Sequence, residues 1–70
     1  MKMIVIAFKE EYREYYYTGK KYKYDGWLYP CTDAIEFAKA YKTKGIAERS
    51  LKSIKENCYY AGKAYIKEIK

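Results

Sequence analysis

Tyr15-Tyr16-Tyr17-Thr18-Gly19-Lys20-Lys21-Tyr22-Lys23-Tyr24-Asp25-Gly26-Trp27-Leu28-Tyr29 is the stretch on which the fold turns. Tyrosine and tryptophan suit half-buried strands, whereas Gly19-Lys20 and Asp25-Gly26 are turn signals. The run reads as two short strands, Tyr15–Thr18 and Lys21–Tyr24, reversing about Gly19-Lys20. A second turn at Asp25-Gly26 leads into Trp27-Leu28-Tyr29 and then the chain's one proline, Pro30. From Tyr12 to Tyr29 there are eight aromatics in eighteen residues, with Lys20, Lys21 and Lys23 set among them. A small core cannot enclose so many rings. Several must stand in water beside positive charge, which suits a flat or anionic partner: nucleic acid, a nucleotide, or an acidic protein face.

Upstream, Met3 to Phe8 is apolar on both alternating faces, Ile4/Ile6/Phe8 and Met3/Val5/Ala7. That pattern fits a central strand covered on both sides, or covered on one side by a partner chain. Lys9 to Arg13 ends it with charge. The run is short for a signal peptide and no small-residue cleavage site precedes Lys9-Glu10-Glu11, so it reads as a first strand and the protein as cytoplasmic. No segment nears the roughly 18 apolar residues of a membrane span.

Downstream, Asp33-x-x-Glu36 has capping-box spacing, and Ala34, Phe37, Ala38 and Tyr41 recur at helical intervals. A first helix of about two turns is expected from Thr32 or Asp33. Lys42-Thr43-Lys44-Gly45 interrupts it, and Thr43 caps a second helix. There Ala47, Leu51, Ile54 and Cys58 share one face, and Asn57 is the stop. After Ala61-Gly62, Lys63 to Ile69 reads as a last strand, with Ala64 and Ile66 on one face and Tyr65, Lys67 and Ile69 on the other. The expected architecture is α+β, a single domain over residues 1–70. It is a small, mainly antiparallel sheet of the hairpin plus the N- and C-terminal strands, with two helices packed on one face. The other face would expose part of the tyrosine set, as a binding platform or a dimer interface.

The chain has 70 residues, and one this short buries only about 60% of its unfolded surface, leaving little room for a shielded catalytic centre. It has no histidine, the commonest general base and metal ligand. Cys31 stands near the expected first helix start, where the dipole lowers a thiol pKa, but no imidazole can serve it. It reads as a small, partly buried residue, and Cys58 as the end of the apolar stripe. Two cysteines without close spacing make neither a zinc site nor a disulfide scaffold, and their pairing is left open. The four glycines are isolated, so there is no phosphate loop. The protein is therefore read as non-enzymatic, with no cofactor and no metal.

Charge is 15 basic against 9 acidic residues, net +6. Only Arg13 and Arg49 could act as forks. The lysines are point charges, so backbone or nonspecific contact is expected rather than base readout. The candidate partner- or nucleotide-binding residues are Tyr16, Lys20, Lys21, Tyr22, Lys23, Tyr24 and Trp27 on the hairpin. A second basic set, Lys42, Lys44, Arg49, Lys52 and Lys55, surrounds the start and exposed face of the second helix, whose N–H groups favour anions; Lys42, Lys44, Arg49 and Lys52 of it are taken as candidate contacts.

Tyr15-Tyr16-Tyr17, Asp25-Gly26-Trp27, Asp33-Ala34, Ala38-Lys39-Ala40-Tyr41-Lys42-Thr43 and Ala47 form a pattern across residues 15 to 54. It is similar to small accessory proteins carried by phages and prophages of A/T-rich bacteria. The resemblance transfers no site residue. It implies a role as a stoichiometric inhibitor or sponge that counters host defence, CRISPR nucleases and nucleotide-signal systems included. The reading is a phage-type inhibitor that blocks a host defence protein or nucleoprotein complex through an aromatic-basic surface. Direct binding of nucleic acid or a cyclic nucleotide is the first alternative, and a structural homo-oligomer the second.

Overall fold

The computed structural model describes residues 3–58 and 61–69. Its elements are β1 (Met3–Glu10), β2 (Arg13–Tyr24), β3 (Trp27–Asp33), a single 3-10 turn (Ile35–Phe37), α1 (Lys44–Asn57) and β4 (Ala64–Ile69). The strands form one antiparallel sheet in the order β3-β2-β1-β4.

Strand β1 lies inside the sheet and is apolar for that reason. Its Ile4, Ile6 and Phe8 join Tyr17, Tyr41, Ala47, Ile54, Ala61 and Ala64 in the core under α1. On the other face Val5 and Ala7 are wholly enclosed although no helix lies there. Val5 sits opposite Lys67, and Ala7 opposite Tyr65 and Tyr16. Directly opposed side chains lie about 5 Å apart, so these long neighbours close over the two small ones. The two-sided cover that the sequence demanded thus comes partly from the sheet's own side chains.

Helix α1 begins at Thr43, whose Oγ1 accepts from the Ile46 N–H at 3.2 Å, and ends at Asn57. Ala47 and Ile54 are buried, and Leu51, Cys58 and Ile66 pack partly against the same cluster. The helix rests on β1 and β4. Tyr41 holds its near flank through a 2.7 Å hydrogen bond between its hydroxyl and that of Ser50.

Two expectations are corrected. There is no first α-helix between Asp33 and Tyr41, so one α-helix and a 3-10 turn accompany the sheet, not two helices. Asp33 stays in β3 opposite Tyr16, and its carboxylate accepts from the adjacent Ala34 N–H at 2.7 Å, so no capping box closes. Beyond the 3-10 turn the backbone is extended at Ala38 and enters the sheet. The Lys39 N–H donates to the Tyr17 carbonyl at 2.9 Å and the Tyr41 N–H to the Ile4 carbonyl at 2.8 Å. A two-turn helix has a costly nucleus and few hydrogen bonds to repay it. Docking this segment beside β1 buries Tyr41 and wins, while Phe37 of the predicted stripe is left 62% exposed.

The hairpin is also reorganised. Tyr15–Thr18 and Lys21–Tyr24 are not two strands but parts of one, β2, with a register shift between Tyr17 and Lys21. The chain reverses at Asp25-Gly26, where φ is 51° and 81°. A two-residue type I′ turn requires positive φ at both positions, and its twist matches that of paired strands. Gly19, at φ 92°, serves the irregularity instead. A Cβ there would also fall 2.9 Å from Lys39 Cδ. Lysine can swing aside but the backbone cannot, so Gly19→Ala is expected to cost about 1–3 kcal/mol, read as a lower urea midpoint.

Candidate docking surface on the β2–β3 hairpin

The type I′ turn fixes which side chains share a face. Tyr24 is paired with Trp27 and Tyr22 with Tyr29. Cross-strand partners and alternate residues lie on one side, so these four rings form one face of the hairpin end. Tyr22 and Tyr29 stack with centroids 5.4 Å apart and planes 20° from parallel. Tyr24 is 69% exposed, Trp27 58% and Tyr22 50%. Lys21 and Lys23, opposite Pro30 and Leu28, take the other face. Cations and rings that alternate along the chain therefore stand back to back in space.

Because α1 rests on β1 and β4, the β2–β3 half of the sheet has no α-helix of its own. A cleft of about 260 Å³ opens there, lined by Phe8, Tyr15, Tyr22, Tyr29, Pro30, Thr32 and Glu10. Phe8, Tyr15 and Tyr29 were not among the predicted contact residues. No local pattern joins them, because they come from three different strands.

Lys39 is a further residue that the sequence did not single out. Its side chain lies over Gly19, and its ammonium stands 5.4 Å from the Tyr41 ring centroid. The crossing of the 38–41 segment thus brings Lys39 to the irregular stretch of β2 that carries Lys20 and Lys21. Only that tertiary crossing joins residues so far apart in sequence. Lys21 is near enough to oppose the effect of burial on the Cys58 thiol, yet burial prevails and raises its pKa. Cys31 lies within β3 rather than at a helix start, and both cysteines are free and half-buried. Among the described residues no three of His, Cys, Asp and Glu converge as a metal site would need.

The remaining predicted contacts divide. Lys42, Lys44, Arg49 and Lys52 are exposed around the start and outer side of α1, a patch separate from the hairpin rings. Tyr16 is half-buried within the sheet and donates its hydroxyl to Glu14 Oε2 at 3.0 Å. Lys67 Nζ donates to the same oxygen at 2.6 Å, an ion pair spanning β1 from β4 to β2. Tyr16 thus braces the sheet. The Lys67 hydrogen bond holds the Glu14 carboxyl below its ordinary 4.5, against the effect of burial. Glu14 in turn raises the Lys67 ammonium above 10.5. A depressed acid stabilises the fold above its unfolded pKa and loses that contribution as pH falls through the folded one. A raised base stabilises below its unfolded pKa and loses its contribution as pH climbs past the folded one. Stability should therefore decline below about pH 4.5 and above about pH 10.5, and Glu14→Gln should flatten the acid limb of a thermal-unfolding profile.

Comparison of the chain with protein-family models, with curated proteins and with solved structures gives no match. Among the described residues no helix is long and apolar enough to cross a membrane.

Proposed function

We propose that this chain is a non-enzymatic binding protein that blocks a host defence protein or nucleoprotein complex, such as a CRISPR effector, in a bacterial cytoplasm. It does so by laying the β2–β3 hairpin against its target. The observation that carries the binding reading is the outward set of Tyr22, Tyr24 and Trp27, each at least half exposed on one face of a single hairpin. Aromatic anchors of this kind dominate protein interfaces because they bury a large area and have few rotamers to freeze. Lys20, Lys21, Lys23 and Lys39 form a basic flank in which Lys21 and Lys23 lie behind the rings, so the target surface that meets the rings is chiefly apolar. The host-defence partner is drawn from the resemblance to phage accessory proteins.

A nucleic-acid reading has its own support in the Tyr22–Tyr29 stack, a flat surface on which a base can lie. The deciding experiment is affinity capture from bacterial lysate with and without nuclease, using wild type, a Tyr22/Tyr24/Trp27 triple serine variant, and Tyr12→Ser. Tyr12 is 96% exposed at the β1–β2 turn and serves as the control. The protein reading expects capture that resists nuclease and is lost only in the triple variant. Nuclease-sensitive capture favours nucleic acid, and capture unaffected by the triple variant removes the hairpin from the site.

A further inference from the structure

The two edges of the sheet are unlike. Strand β3, at one edge, carries Pro30 within its length and so lacks one backbone donor, a common guard against pairing with another chain. Strand β4, at the other, is six residues, Ala-Tyr-Ile-Lys-Glu-Ile, with no proline, glycine or register shift. Among the described residues nothing pairs with its outer side.

We infer that β4 pairs with β4 of a second copy about a two-fold axis at Ile66, joining two sheets into one of eight strands. A two-fold axis normal to the sheet keeps the two helices on the same side, so opposed residues must share a face. Centring on Lys67 opposes Ile66 to Glu68, an apolar side chain against a charge. Centring on Tyr65 opposes Lys63 to Lys67 and leaves Glu68 and Ile69 unpaired. Centring on Ile66 opposes Ile66 to itself on the helix side and Tyr65 to Lys67 on the other, twice. Ile66 against its copy extends the apolar cluster that it joins under α1, while Lys67 keeps its ion pair with Glu14 on the far side of β1.

The helices fit the same arrangement. Neighbouring strands are about 5 Å apart, so helices seated between β1 and β4 of each copy come to roughly 10 Å, an ordinary packing distance. Ser50 is tied to Tyr41 on the β2 side of β1, which turns the opposite flank, with Lys44, Glu48 and Lys55, toward the dyad. Its excess of lysine opposes pairing at low ionic strength, so association should tighten as salt screens it. The two hairpins would stand at opposite ends of the joined sheet, leaving both ring faces open.

Sedimentation of the whole chain at moderate salt should give a dimer at tens of micromolar, an ordinary range for a modest interface. A strict monomer overturns the inference. Register is read by oxidation in a Cys31→Ser, Cys58→Ser background. Ile66→Cys should form an intermolecular disulfide, because directly opposed Cα atoms lie about 5 Å apart. Glu68→Cys should not, because the two copies would be about 13 Å apart along the strand. Equal or reversed bridging overturns the pairing. The triple hairpin variant should remain dimeric, and its dissociation would place the contact on the rings instead.

Discussion

A protein in which Tyr22, Tyr24 and Trp27 are all serine is expected to fold like wild type and to bind its target at least about a hundredfold more weakly. Truncating a central aromatic anchor commonly costs about 2 kcal/mol or more in binding, and a hundredfold loss needs only about 2.7 kcal/mol. The losses will not add, because the rings share one face and Tyr22 leans on Tyr29. Stability should change little by comparison. These side chains are half exposed or more, and the ladder that pairs β2 with β3 does not depend on them. The one local penalty is the Tyr22–Tyr29 stack, of the order of 1 kcal/mol. Circular dichroism with urea titration, run beside a capture assay, separates the two effects. A variant that unfolds would assign the rings to folding, and one that binds normally would place recognition elsewhere.

The largest effect on folding is expected at Ile54. It is among the most completely buried of the large side chains and fills the space between α1 and the strands beneath it. Ile54→Ala removes that packing and leaves a cavity that the short helix can only partly close, a loss of about 2–5 kcal/mol. Small domains are rarely stable by more than the lower part of a 5–15 kcal/mol range. The variant should therefore be substantially unfolded at 37 °C, or shifted to a much lower urea midpoint. Lys55→Ala, next in sequence and exposed, should move the midpoint hardly at all. A small change at Ile54 would show that α1 contributes little to the core.

Part of this arrangement was readable from residue order because local and tertiary preferences agree there. Thr43 caps α1, Ala47, Leu51 and Ile54 seat it, and Ile4, Ile6 and Phe8 receive it, each at the spacing its element demands. Between Asp33 and Tyr41 they conflict. The residues have helical spacing, but the backbone N–H groups of Lys39 and Tyr41 find carbonyls on Tyr17 and Ile4. No local pattern announces such partners. Gly19 posed a similar ambiguity: its positive φ suits a turn or an irregular strand equally, and the Asp25-Gly26 pair decides it. The excess of rings over core volume was legible from composition. Their separation from Lys21 and Lys23 was not, because it depends on strand register, and Lys39 joins the basic flank only through the crossing at Gly19.

Trp27 is the chain's one tryptophan and stands on the proposed contact face, so replacing it by 5-hydroxytryptophan, which is excited at longer wavelength than a partner's tryptophans, gives an emission that reports on that face alone. Acrylamide quenching should be compared between the isolated protein and the captured complex. Ready quenching alone and strong protection in the complex is the result expected of a ring wall that meets its partner. Protection already present in the isolated protein, or equal quenching in both states, would contradict it.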